Sequence, residues 1–350
     1  MEDVDVSVEV SAAPEPEPEP ELESEPEPEP EPEPELPTNT TTVRLRKYAL
    51  LAAGAGGGAE AEPDGELAVQ LVHMAAPEDG KWSRAKKQCD LWEYVWGASQ
   101  MLADTLLTAA AHREGLSGVR ALELGAGAGL CSLVAGLCGA SVLATDGVAD
   151  AVQLCALSAA ANGLADPSAA GPSGVVETAV LDWFKTESVS EAQFDLVIGS
   201  DVLFFRGCVT PVAAAITRAL KPGGVALVAD PCRSSTQDFC EKLAAHGLHV
   251  RLRPFNQSRL SALSANETAA ETDSFVQHWG SQRGKLIWVT KQRSPDGAEQ
   301  KGEAGLREAG LREAVAAAVA ECCDGPDYEE GEADWNEPEP PAPAHAAAPE

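Results

Sequence analysis

Basic side chains are scarce in this sequence. Lysine and arginine total 25 against 56 aspartates and glutamates, a formal net charge of −31. Gripping nucleic acid needs a basic face, so no nucleic-acid partner is expected. Long apolar runs are also missing, and nothing approaches the roughly 18 residues of a membrane span, so no membrane is expected either. The nine cysteines form no C-x-x-C pair and no Cys/His cluster at zinc-ligand spacing, which excludes a metal site of that kind. Their odd number and apolar neighbours suit reduced, buried thiols. The opening MEDVDVSVEV is acidic and lacks the apolar stretch of a signal or transit segment. The chain is therefore expected in the cytoplasm, with the nucleus also open to it, as a monomer.

The acidic excess lies at the ends. Residues 1–42 hold 15 acids and no base, and residues 291–350 hold 15 acids and 5 bases. Residues 14–36 are largely a Pro-Glu alternation. Proline removes backbone donors and the glutamates repel, so residues 1–42 read as a disordered tail. Residues 43–88 read as a β-hairpin extension, with strands in VRLRKYAL (43–50) and ELAVQLVHM (66–74). The core domain is expected over 89–292. Residues 293–350 read as an acidic tail in which GLREAGLREA, running into AVAAAVAECC, gives a short helix without an evident partner.

Within the core, apolar strands alternate with helical segments. VRALELG (119–125), SVLATD (141–146), VVETAVLDW (175–183), FDLVIGSD (194–201), VALVAD (225–230), HVRLRPF (249–255) and KLIWVTKQ (285–292) read as seven strands. Helices are expected at 93–107, 129–138, 148–161, 209–220 and 236–246. This alternation is the mark of an α/β fold, a doubly wound, mostly parallel sheet with helices on both faces. The last two strands have no strong helix between them, so the last is expected antiparallel. Ligands of such sheets sit outside the carboxyl ends of the strands, near the switch point. Glu123–Gly129, Asp146, Asp182–Trp183 and Ser200–Asp201 all fall at strand ends.

Residues 121–130, ALELGAGAGL, place glycines at alternate positions after the first core strand. No lysine follows them, so this is not a phosphate-binding P-loop. The spacing G-x-G-x-G is one residue short of the dinucleotide fingerprint. Asp146, ending the next strand, suits NAD or another adenosine ligand, because a carboxylate accepts hydrogen bonds from ribose hydroxyls.

Glu123-Leu-Gly-Ala-Gly-Ala-Gly129 resembles the first motif of the seven-strand, Rossmann-like S-adenosylmethionine methyltransferases. The segment Val95-Trp96-Gly-Ala, the Leu181-Asp182-Trp183 end of the third strand and Asp195-Leu-Val-Ile-Gly-Ser-Asp201-Val-Leu-Phe204 resemble methyltransferase family 16, which includes protein-lysine methyltransferases. A looser likeness, in Thr145-Asp146-Gly147 and the run through Arg233, Phe239 and Cys240, is to the calmodulin-lysine methyltransferase branch. The resemblance implies S-adenosylmethionine as cofactor, with Trp96, Glu123, Gly125, Ala126, Gly127, Asp146, Trp183 and Ser200 lining it. It also implies transfer of a methyl group to a lysine of a protein substrate, with calmodulin or another cytosolic protein as the first acceptor to consider. Asp201 would orient the incoming ammonium, and Phe204, where the family commonly has tyrosine, would wall the channel with Phe205. Two alternatives stand beside this reading. One is a methyltransferase-like binding module of weak activity, for which the missing tyrosine speaks. The other is an NAD-dependent oxidoreductase, against which the glycine spacing speaks.

Overall fold

A computed structural model describes residues 38–46, 66–74, 92, 94–113, 115–166, 174–265, 284–292, 303–324 and 328–329. The disorder expected for the Pro-Glu segment and for the last residues falls outside them.

Strands β1 (Thr38–Arg46) and β2 (Glu66–Met74) pair antiparallel as a separate hairpin. β1 begins at Thr38, inside the segment expected as tail. The hairpin is fastened to the core by its backbone. Ser158 Oγ accepts the Val72 N–H at 2.8 Å, and Asn162 both accepts from the Gln70 N–H (3.0 Å) and donates to the Gln70 carbonyl (2.6 Å). Both side chains stand at the end of a core helix, so they continue the ladder of a two-stranded sheet that could not stand alone.

The core runs α1 (Gly97–Arg113), β3 (Arg120–Leu124), α2 (Leu130–Leu137), β4 (Ser141–Asp146), α3 (Ala149–Ala161), β5 (Val175–Val180), β6 (Phe194–Ser200), α4 (Val209–Ala219), β7 (Leu220–Asp230), α5 (Thr236–Ala245), β8 (His249–Pro254), α6 (Gln257–Ala265), β9 (Lys285–Thr290), α7 (Glu303–Cys322) and β10 (Tyr328–Glu329). The sheet order is β10-β8-β9-β7-β6-β3-β4-β5. Strands β3 to β7 are mutually parallel, and β9 runs antiparallel to both of its neighbours, β7 and β8. This is the expected seven-strand, mostly parallel sheet with its last strand reversed. The two-residue β10 adds an eighth at the edge. The central strands read as near-continuous apolar runs because helices cover both of their faces. Lys221–Gly224 lies within β7, whose register against β6 shifts between Phe194 and Leu196.

The segment expected as a tail with a short, unpartnered helix is α7, a 20-residue helix. Its Leu311, Val315, Ala318, Val319 and Cys322 are buried at helical spacing, and α7 packs on α1. The partner was hidden in the sequence because α1 is covered nearly all round and shows no single apolar stripe. Polar residues on α1 are satisfied locally or by an ion. Thr105 and Thr108 donate to carbonyls one turn earlier, both at 2.8 Å. Asp104, 3% exposed, accepts from Arg259 Nε at 2.5 Å. Arg259, on α6, also donates to Thr108 Oγ1 (2.8 Å) and to Glu321 of α7 (3.1 Å). One guanidinium thus ties α1, α6 and α7. The stretch 256–284, patternless in sequence, contains this anchor.

Candidate active site at the switch point

The chain leaves β3 toward β4 and β5, then returns to β6 on the other side of β3. Leu124 pairs in register with Gly199. The glycine loop after β3 and the Ser200–Asp201 turn after β6 therefore open side by side, at the place where a doubly wound sheet receives its ligand.

The three alternate glycines are explained by their backbone. Gly125, Gly127 and Gly129 have φ of +67°, +51° and +86°, the left-handed region that L side chains rarely adopt. Space is short as well. A Cβ on Gly125 would stand 3.0 Å from the Trp183 ring, and one on Gly129 would stand 2.5 Å from Cys155 Sγ. Between them the Ala126 N–H donates to the Thr145 carbonyl at 2.8 Å, which ties the loop to the end of β4.

Asp146 closes that end. Its two oxygens accept the N–H groups of Gly127 and Val148, each at 3.0 Å. Burial raises its pKa above the usual carboxylate value, opposed by those backbone donors. The Gly147 N–H also acts on this carboxylate, which keeps acceptor capacity beyond these donors. Glu123 is placed differently from the expectation of a ligand contact. It is 1% exposed, and its Oε2 accepts both the N–H (2.8 Å) and the hydroxyl (2.5 Å) of Ser132 in the first turn of α2. Burial without a cation raises its pKa to about 7. In this geometry Glu123 braces the turn from below.

Trp183 lies half-buried against the Gly125 position. Trp96, just before α1, is half-buried and stands edge-on to Tyr94 with ring centroids 6.1 Å apart. The Ser200 hydroxyl is 2.9 Å from that of Ser99 in the first turn of α1, which joins β6 to the helix that follows Trp96. The sequence-derived set thus meets at one edge of the sheet, with Glu123 behind it.

Asp201 and Phe204 stand on the β6 side. Asp201 has φ +54°, unusual for a residue other than glycine. Its carboxylate receives two bonds from Arg233, from Nε at 2.5 Å and Nη2 at 2.7 Å. Phe204 and Phe205 are 40% and 46% exposed and lie 5.1 Å apart. Phe184, the residue after Trp183, stacks on Phe205 at 6.2 Å and is 56% exposed. The three phenyl rings form a clustered, partly exposed apolar patch beside Asp201.

Sequence reasoning missed Arg233 as the partner of Asp201, together with Asp230, Ser99 and Phe184. Asp230 carried a signal, since it ends the fifth strand as Asp146 and Asp201 end theirs. Arg233 stood in the run that resembles the calmodulin-lysine methyltransferase branch, but its pairing with Asp201, 32 residues away, left no mark in the sequence. Among the described residues no group of histidines, cysteines or acids could hold a metal ion, and no helix is long and apolar enough to cross a membrane.

Comparison with known proteins gives a family match over just under half of the chain. Residues 82–246 match the model of methyltransferase family 16, described as lysine methyltransferase. The mouse protein N-lysine methyltransferase METTL21A is 33% identical over 148 residues, 42% of this chain and 63% of that protein. Human methyltransferase-like protein 22 is 36% identical over 98 residues, 28% of this chain and 23% of that protein. The chain thus spans less than two thirds of the length of either relative. A solved TehB-like SAM-dependent methyltransferase from Corynebacterium glutamicum is 17% identical, with 60% of this chain and 95% of that chain covered at a TM-score of 0.37. That value is too low to add to the fold assignment, which rests on the strand order.

The cofactor expected from the motif resemblance is S-adenosylmethionine, and the strand-end residues suit it. Asp146 offers spare acceptor capacity for ribose hydroxyls. The left-handed glycines leave the loop without side chains to obstruct a ligand, and Trp183 offers an apolar face beside them. No basic side chain is found on the glycine loop, in keeping with a donor that carries no pyrophosphate.

Proposed function

We propose, from the family 16 lysine-methyltransferase region at residues 82–246, that this chain transfers a methyl group from S-adenosylmethionine to a lysine side chain of a protein. The observation that carries this reading is the convergence of the left-handed glycine loop, Asp146, Trp183 and Ser200–Asp201 at the switch point. When bound, the cofactor supplies an electrophilic methyl group on a sulfonium. Trp96, Gly125, Ala126, Gly127, Asp146, Trp183 and Ser200 form its pocket. Glu123 supports the pocket by holding the N-terminal turn of α2.

Asp201 and Phe204 belong to the acceptor side. A lysine titrates near ~10.4 in water and must lose its proton before it can attack. An acceptor segment docked over Phe204, Phe205 and Phe184 encloses its lysine between protein surfaces, and that burial favours the neutral amine. The same rings attract the ammonium on entry. Most of the rate enhancement then comes from alignment of amine and methyl. Phe204 in place of tyrosine removes a phenol, and that leaves alignment to Asp201 and the rings. We place the protein in the cytoplasm or nucleus as a monomer acting on protein, in keeping with its acidity and its buried free thiols.

The test is donor binding followed by labelling. Calorimetry with S-adenosylmethionine, S-adenosylhomocysteine and NAD should give binding to the first two only. Incubation with radiolabelled donor and cell extract, or with calmodulin as the first single acceptor, should label protein at lysine. NAD binding alone would turn the reading to an oxidoreductase, and donor binding without any labelled protein would turn it to a binding module.

A further inference from the structure

Two of the three described residues other than glycine that have a left-handed backbone, Asp201 (φ +54°) and Cys232 (φ +66°), flank one ion pair. Strain of this kind persists where the surroundings over-determine it, and it gathers at functional sites. The surroundings here are explicit. The Asp201 N–H donates to the Ala229 carbonyl at 2.9 Å, which binds the turn after β6 to the end of β7. Asp230 Oδ1 accepts from the Arg233 N–H and from Thr236 Oγ1, each at 2.7 Å, and Thr236 Oγ1 lies 2.7 Å from the Arg233 carbonyl as well. The Arg233 backbone is thus pinned on both sides, and its guanidinium meets Asp201 with both prongs of the fork. The Asp201 side chain is 9% exposed and that of Arg233 is 33% exposed, so the guanidinium shields the carboxylate from solvent. Asp230 itself is fully buried, and its Oδ2 finds no hydrogen-bond partner among the described residues. The cluster holds two acids and one cation on the acceptor side of the site.

We propose that Arg233 is a positioning residue for the acceptor amine, acting through Asp201. It fixes the direction of the carboxylate and offsets its charge, so that the incoming lysine meets a paired carboxylate and not a bare one. This rests on the methyltransferase reading above. The physical consequence is a division of labour. A bare carboxylate beside the amine would bind the ammonium tightly and hold its proton in place. A carboxylate shared with Arg233 still orients the amine and holds the proton less firmly.

The experiment uses the full chain and the acceptor protein labelled in the assay above, with Arg233→Gln, Arg233→Lys, Asp201→Asn and the double variant Arg233→Gln/Asp201→Asn. Arg233→Gln should keep S-adenosylhomocysteine affinity within about 2-fold, lower KM and lower kcat about 10-fold, a split that loss of folding does not produce. Its rising limb in kcat against pH should move to higher pH, because the unpaired carboxylate holds the proton of the bound substrate. With S-adenosylhomocysteine present, Arg233→Gln should bind a peptide around the labelled lysine more tightly than wild type, and a norleucine version of that peptide equally well. Arg233→Lys keeps the charge without the fork and should fall between the two; it carries the test if the glutamine variant fails to fold. The double variant should turn over no more slowly than Asp201→Asn alone, since Arg233 acts through Asp201. Wild-type kcat, KM and pH limb in both Arg233 variants would overturn the inference, as would losses that add in the double variant. Absence of donor binding in the wild-type chain would instead overturn the methyltransferase reading.

Discussion

The two halves of the strand-end site hold their carboxylates in different ways. On the β3–β4 side, Glu123 and Asp146 are satisfied by backbone N–H groups and one serine hydroxyl, without any cation. Burial raises the pKa of both. On the β6–β7 side, Asp201 and Asp230 share a single arginine, Arg233, through its side chain and its backbone N–H respectively. A pocket made from backbone is fixed as soon as the strands pair, and it suits a cofactor of constant shape. An acceptor side made from a side-chain ion pair keeps a charge that can respond to its substrate. On the proposed reading, the two carboxylate sets, neighbours across the directly paired strands β3 and β6, have different work to do.

The largest effect expected concerns the acceptor half. Asp201→Asn keeps the shape, loses the charge and leaves the Arg233 guanidinium unpaired beside an incoming cation. Turnover should fall by about 100-fold or more, the scale of lost positioning, with donor affinity near wild type. Collapse of donor binding in calorimetry would erase the distinction between the halves, because Asp201 would then serve the cofactor pocket.

In the cofactor half, Asp146→Ala should weaken donor binding by about 1.5–3 kcal/mol, the range for hydrogen bonds to a charged group. It also frees the N–H groups of Gly127 and Val148, so a melting curve must show that the variant folds. An unchanged dissociation constant in a folded variant would remove Asp146 from the pocket.

Gly129→Ala tests whether the backbone makes that half. Alanine at φ +86° is strained, and its Cβ would press on Cys155 Sγ. A loss of about 2 kcal/mol is expected, or about 4–8 °C in melting temperature for a domain of this size. Adding Cys155→Ala should return part of the loss by clearing the clash and leave the part owed to φ. Full recovery in the double variant would show that crowding alone selects glycine there.

How much could be read from the sequence follows the same division. Backbone demands leave local marks. The glycine alternation announced the loop, apolar runs announced the strands, and acids at strand ends announced Asp146 and Asp201. The antiparallel β9 was expected from the lack of a strong helical pattern before it, although the structure places the short α6 there. What stayed hidden was made by side chains distant in sequence. Arg233 meets Asp201 across 32 residues, and Arg259 meets Asp104 across 155. Neither pairing is marked by a spacing in the sequence. The partner of α7 was hidden because α1 is buried on nearly every side and carries Gln100, Asp104, Thr105 and Thr108 inside. Glu123, expected beside the ligand, is turned to Ser132 under the loop, a pairing that no local pattern marked.

The smallest effect expected comes from Glu123, and its sign is opposite to that of an acid paired with a base. Its folded-state pKa is raised from the ordinary 4.5 to about 7 because burial penalises the charged form. The folded protein therefore holds this proton more tightly than the unfolded chain. Its contribution to stability is complete below the unfolded pKa and is lost as pH rises through about 7. Between roughly pH 6 and pH 8 the loss should come to about 1 kcal/mol, or a few degrees of melting. Glu123→Gln retains an acceptor for the Ser132 N–H and hydroxyl but does not titrate. The variant should thus lose less stability than wild type across that interval, and the gap between their melting temperatures should move in the variant's favour as pH rises. Parallel melting curves at all pH values would mean that Glu123 ionises in the folded state with no burial cost. The cofactor half would then hold a solvated or ion-paired acid, as the acceptor half does, and the contrast between the two would reduce to Asp146 alone.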